Sequence, residues 1–98
     1  MLSRLDATIE TRAVRHPERI ARDDRSYTGK LLGDTNLRLK KIGEEAAELV
    51  HAAAVGDKQR SVEEAADLLY HTLVVLRSLG AGIDEVSAVL SARSRSTT

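Results

Sequence analysis

A single glycine between two long stretches of helical periodicity constrains this chain more than any other feature. From about Thr35 to Val55, Leu39, Ile42, Ala46, Leu49 and Ala53 recur in steps of three and four, the spacing of one helix face. From about Lys58 to Leu79, Val62, Ala66, Leu69, Leu73 and Leu76 repeat the pattern, and Leu68, Val75 and Leu79 add apolar groups on another face. Gly56 can take the left-handed conformation that ends a helix. Asp57 can then cap the next helix by accepting a bond from a free backbone N–H, as Asp34 or Thr35 can for the first. A connection this short makes the two helices antiparallel.

Shorter helical elements flank the hairpin. Leu2, Leu5, Ile9 and Ala13 predict a helix from Leu2 to about Val14, which His16-Pro17 stops because a residue before proline is pushed out of the α region. Arg15–Arg25 is highly charged and reads as a loop, and Ser26–Leu32 as a brief helical turn before Gly33-Asp34. Gly80 and Gly82 interrupt the chain, Ile83, Val86, Val89 and Leu90 mark a last helix, and residues 91–98 read as a frayed tail. The expectation is one all-α domain over residues 1–98, a helix bundle built on the hairpin.

With no Phe, no Trp and only two Tyr, at positions 27 and 70, the core must come from Leu, Val, Ile and Ala, which bury less surface than aromatic rings. The second long helix is apolar almost all round from Leu68 onward and needs cover on several sides. Both points predict that a homodimer completes the bundle. Fifteen Lys and Arg balance fifteen Asp and Glu, which argues against bulk electrostatic binding to nucleic acid. The absence of cysteine removes disulfides and thiolate metal sites. No apolar run is long enough to span a bilayer and Met1–Asp6 lacks a signal-peptide core, so the expected setting is cytoplasmic.

The chemistry lies in the acids. Glu44, Glu45 and Glu48 sit on the first long helix, and Glu63, Glu64 and Asp67 on the second. Residues three and four apart share a side of a helix, and a hairpin turning at Gly56 brings Glu45 and Glu48 level with Glu64 and Asp67. Carboxylates gathered this way raise one another's pKa, a penalty that a hard divalent cation removes. Oxygen-only ligands suit Mg²⁺ or Mn²⁺, and Mg²⁺ completes its shell with waters and substrate phosphates. Such an ion makes water a usable nucleophile near neutral pH and offsets charge on phosphoryl oxygens. Taken singly, each acidic pair is more often a solvated face, and Glu64 could instead close a capping box with Ser61. Two pairs on adjacent helices beside apolar seams favour a site.

Glu44-Glu45-Ala46-Ala47-Glu48 followed by Glu64-Ala65-Ala66-Asp67 resembles the E-E-x-x-E … E-x-x-D signature of the all-α NTP pyrophosphatases, the MazG-type superfamily. Ser26–Leu32, Lys40–Glu48 and Glu64–His71 look most like the phosphoribosyl-ATP pyrophosphatase family, and Ala7–Arg12 adds to a colinear likeness over nearly the whole chain. The resemblance implies a helical dimer that requires Mg²⁺ and hydrolyses phosphoribosyl-ATP to phosphoribosyl-AMP and pyrophosphate in histidine biosynthesis. Glu45, Glu48, Glu64 and Asp67 are then the expected metal ligands, with Glu44 a further ligand or the base that orients water. Lys41, one turn before Glu45, and Lys30 are candidates for holding phosphates; Arg12 is a substrate-binding candidate through the resemblance alone. Arg38 and Lys40 read as solvated, His71 as a hydrogen-bonded core residue, and Tyr70 as packing with its hydroxyl satisfied. His51 and His16 carry no second supporting feature. Two rival readings are a house-cleaning pyrophosphatase acting on free (d)NTPs and a non-catalytic helical dimerisation module.

Overall fold

Each helix begins or ends where the local chemistry dictates. In the computed structural model, Ser26 caps α2 (Tyr27–Gly33) by accepting from the Gly29 N–H at 3.0 Å. Asp34 Oδ1 accepts from Leu37 N–H to start α3 (Thr35–Val55), and Asp57 Oδ1 accepts from Arg60 N–H to start α4 (Lys58–Ser78), both at 3.0 Å. Gly56 lies between them at φ 79°, a conformation in which a side chain would be strained. Asp57 is thus the cap, and Ser61 Oγ instead donates to the Asp57 carbonyl at 2.7 Å, so the alternative box with Glu64 does not form. The structure describes residues 2–15 and 26–97, and the side chains within 2–11 and 26–95.

Helix α1 (Leu2–Arg15) and α5 (Ile83–Thr97) complete the fold, and every described element is α-helical. Residues 16–25 of the expected loop, with His16, lie outside the described residues. Helix α5 runs to Thr97, so residues 91–97 of the expected tail are helical; Ala92 is a strong helix former, and Arg95 suits the negative end of the helix dipole.

The α3–α4 hairpin is the principal packing pair, and α1 and α2 lie against α4. The buried core joins Ile9 of α1, Leu31 of α2, and Leu73 and Val74 of α4, with Leu5, Leu32, Leu37, Tyr70 and Ile83 packed around it. It therefore occupies the half of α4 away from the bend, and the bend end holds the buried Ala52 and the acids. The two expected seams are only partly covered. Leu39, Val62 and Leu69 are exposed along with Val50 and Val55; among the described residues, the helices packed on the hairpin leave them uncovered.

An ion-pair latch that local sequence patterns do not predict closes the base of the bundle. Asp6, only 2% exposed, accepts from Arg77 Nε at 2.8 Å and Nη2 at 2.6 Å, and from the Ile83 backbone N–H at 2.8 Å. Arg77 Nη1 also donates to Glu10 at 2.9 Å. One carboxylate thus ties α1 to the end of α4 and the start of α5. Arg38 has a comparable role: it donates to the Leu31 and Leu32 carbonyls at 3.1 and 2.7 Å, satisfying the open end of α2.

Gly82 is required by this latch. A Cβ there would stand 2.5 Å from Arg77 Nη2 and 2.6 Å from Asp6 Oδ2, and both atoms are held by their mutual bonds. Gly82→Ala is expected to destabilise the chain by about 1–3 kcal/mol, the usual cost of overpacking, read as a lower urea midpoint with an unchanged slope.

Candidate metal centre

The antiparallel register brings Glu45 and Glu48 of α3 against Glu64 of α4. One carboxylate oxygen from each can be chosen so that all three lie within 4.8 Å of one another. Glu64 is buried, Glu45 half-buried and Glu48 exposed, so the cluster opens to solvent on the α3 side. Asp67 is exposed one turn further along α4 and stands outside this group. Glu64 and Asp67 differ by about 60° around the helix axis, which is enough to separate a buried carboxylate from an exposed one.

The carboxylates of the cluster repel one another. The Glu64 pKa is pushed up to about 7, first by the adjoining Glu48 carboxylate, with burial adding to it and Glu45 contributing, while Arg60 pulls it down. That arginine stands 3.5 Å away and is itself more than half exposed. Two buried oxygens, Glu45 Oε2 and Glu64 Oε2, have no hydrogen-bond partner among the described residues. Unpaired buried carboxylate oxygens on facing helices are what a hard divalent ion satisfies, so the donor set fits the expected metal.

The raised pKa fixes a pH dependence. Glu64 binds a proton more tightly in the folded, metal-free chain than when unfolded, where its pKa is near 4.5. This contribution to stability is therefore complete below pH 4.5 and is lost as pH rises toward 7. Divalent-ion affinity is expected to strengthen over the same range, with proton release on binding at pH 6, measurable by calorimetry in buffers of different ionisation enthalpy.

The basic candidates sit on three different helices. Lys41 pairs with Glu44 at 3.6 Å on the exposed side of α3, and Lys30 is exposed on α2. Arg12 lies on α1, and its side chain is outside the described residues. Arg38 is committed to the end of α2 rather than solvated.

Beside the acids lies an aromatic knot. His71, 6% exposed, donates from Nδ1 to the Asp67 carbonyl at 2.8 Å, which leaves Nε2 to accept from the Tyr27 hydroxyl at 2.7 Å. The Tyr27 and Tyr70 rings stack with centroids 6.0 Å apart, and the Tyr70 hydroxyl bonds Thr28 Oγ1. His71 is thus the satisfied core residue that its place in an apolar helix suggests. Its partner Tyr27 carries no such signal in the sequence, because the two residues are 44 positions apart and belong to different helices.

An all-α chain whose antiparallel hairpin collects glutamates into a cluster able to hold a divalent cation is of the class expected of helical nucleotide pyrophosphohydrolases. The family model for phosphoribosyl-ATP pyrophosphohydrolase matches residues 2–94. A phosphoribosyl-ATP pyrophosphatase of Caulobacter sp. (strain K31) is 45% identical over 95% of this chain and 81% of its own length. Enzymes of the same name from Methylobacterium nodulans and Dechloromonas aromatica are 44% and 40% identical, over 94% and 95% of this chain and 81% and 82% of their own lengths. The chain belongs to the phosphoribosyl-ATP pyrophosphohydrolase family, a family of hydrolases. Among the described residues, no helix is long and apolar enough to cross a membrane.

Proposed function

We propose that this chain hydrolyses phosphoribosyl-ATP to phosphoribosyl-AMP and pyrophosphate, a step of histidine biosynthesis, with Mg²⁺ as the required ion. The observation that carries the reading is the meeting of Glu45, Glu48 and Glu64 across the hairpin, with two oxygens unpartnered, in a chain of this family. Glu45, Glu48 and Glu64 hold the ion, with Asp67 as a fourth carboxylate that, being exposed, can turn toward it without repacking. When bound, the ion offsets phosphate charge and acidifies water; Mn²⁺ satisfies the same oxygen donors.

The chain's own groups do the rest. Buried Glu64 cannot leave the site and fixes its depth, while exposed Glu48 closes it from the solvent side. Glu44, beside Glu45 on α3 and paired with Lys41, is either a further ligand or the acceptor for a proton from the attacking water. Lys41 and Lys30 present cations to the polyphosphate, and Arg12 is a third substrate-binding candidate.

A homodimer covers the exposed Leu39, Val50, Val62 and Leu69 in this reading. Its cytoplasmic setting follows from the reaction, a step of amino-acid biosynthesis.

Substrate choice is tested by measuring pyrophosphate release from phosphoribosyl-ATP and from a panel of dNTPs under Mg²⁺. A preference for phosphoribosyl-ATP of at least about a hundredfold in kcat/KM is expected. Equal or better turnover of dNTPs would assign the chain to house-cleaning instead, and no turnover of either would leave the dimerisation module.

A further inference from the structure

Hydrolysis of a nucleotide between its α- and β-phosphates requires more than a grip on phosphates, because the base and sugar must also be placed. A purine is recognised most directly by an aromatic face on which it can stack. This chain has very few such faces: no Phe, no Trp, two Tyr and three His. Their positions decide which of them can serve.

Tyr70 is half-buried with its hydroxyl engaged by Thr28, and His71 is buried with both ring nitrogens bonded. His51 is exposed three residues past Glu48, but among the described residues no hydrogen bond or ring contact holds its imidazole. His16 lies outside the described residues. Among the described aromatic residues, Tyr27 alone is both fixed and open. It stacks on Tyr70, lies edge-to-face with His71 with centroids 5.6 Å apart and planes at 84°, its hydroxyl is bonded, and the residue is still 44% exposed.

Its location fits as well. His71 bridges from the Tyr27 hydroxyl to the backbone of Asp67, one turn along α4 from the ligand Glu64. The phenol also lies within electrostatic reach of Lys41, Glu45 and Glu44. A planar face is therefore held beside the carboxylates by a side chain whose conformation is already set, which lowers the ordering cost of binding.

We propose that Tyr27 is the base-stacking residue of this enzyme, with His71 as the residue that positions it, so that a purine nucleotide lies with its ring on Tyr27 and its phosphates on the Glu45–Glu48–Glu64 cluster. This rests on the phosphoribosyl-ATP reading and adds where selectivity for a base arises.

The test separates base from phosphate. Two inhibitors are compared against phosphoribosyl-ATP hydrolysis under Mg²⁺: α,β-methylene-ATP, which carries the base, and inorganic tripolyphosphate, which does not. Tyr27→Leu is expected to weaken inhibition by the methylene analogue about ten- to a hundredfold, with tripolyphosphate inhibition within about twofold of wild type. Tyr27→Phe keeps the ring and is expected to keep most of the selectivity, and His71→Gln to raise KM more than it lowers kcat. Equal weakening of both inhibitors by Tyr27→Leu, or of neither, overturns the proposal.

Tyr27→Trp supplies a readout independent of turnover and of the fate of the leucine variant. It would be the only tryptophan in the chain. Quenching of its fluorescence by the methylene analogue but not by tripolyphosphate is expected, and no quenching at saturating analogue overturns the assignment. A wild type that leaves phosphoribosyl-ATP intact while this quenching is seen would instead defeat the proposed reaction and leave the stacking site standing.

Discussion

Glu48→Ala is expected to lower kcat/KM for phosphoribosyl-ATP by about 10³-fold, equivalent to the several kcal/mol of transition-state stabilisation that a correctly held divalent ion supplies. The same substitution should raise the melting temperature of the metal-free protein at pH 8. Glu48 is the largest cause of the raised Glu64 pKa, so removing it lets Glu64 ionise nearer its ordinary 4.5 and relieves repulsion inside the hairpin. With the proposed ion relieving that repulsion in wild type, added Mg²⁺ should stabilise wild type and have little effect on the variant. Opposite signs for activity and metal-free stability distinguish a functional carboxylate from a structural one. Calorimetric melts with and without Mg²⁺, beside pyrophosphate release, read both.

Asp6→Ala is the substitution expected to damage the fold most. It leaves the guanidinium of Arg77, only 17% exposed, without the partner that anchors it, and it removes the acceptor for the Ile83 N–H. Breaking one side of a buried pair costs about 3–5 kcal/mol, which for a chain this size lowers the melting temperature by more than about 10 °C. The Asp6 pKa is lowered, first by its hydrogen bonds from Arg77, against burial that raises it, and then by the Ile83 amide. A depressed folded pKa means that the stabilisation is fully present above the unfolded value of 3.8 and is lost as pH falls through the folded pKa. The variant should therefore lack part of the acid destabilisation of wild type. Urea titrations of both proteins between pH 2.5 and 7 measure it.

Asp6 also illustrates what the sequence can and cannot disclose. The hairpin was legible because its determinants are local: apolar steps of three and four, a glycine that admits positive φ, and an aspartate to cap the second helix. The carboxylate cluster was legible because an antiparallel turn of known position converts sequence number into level along the helices. The latch was not, since Asp6 and Arg77 stand 71 residues apart and each reads as an ordinary polar residue of an amphipathic helix. Level alone does not give rotation about the helix axis, which leaves Asp67 exposed while Glu64 is buried. The seams are apolar in sequence, yet Leu39, Val62 and Leu69 are exposed because the described helices leave them uncovered, and periodicity alone does not tell what covers a seam.

In the proposed reaction, pyrophosphate release depends on a divalent ion gathered by Glu45, Glu48 and Glu64. Stripping the full chain with chelator and assaying phosphoribosyl-ATP before and after Mg²⁺ is restored tests this dependence. No pyrophosphate before and full turnover after is the predicted result. Unchanged turnover while excess chelator is present would contradict it.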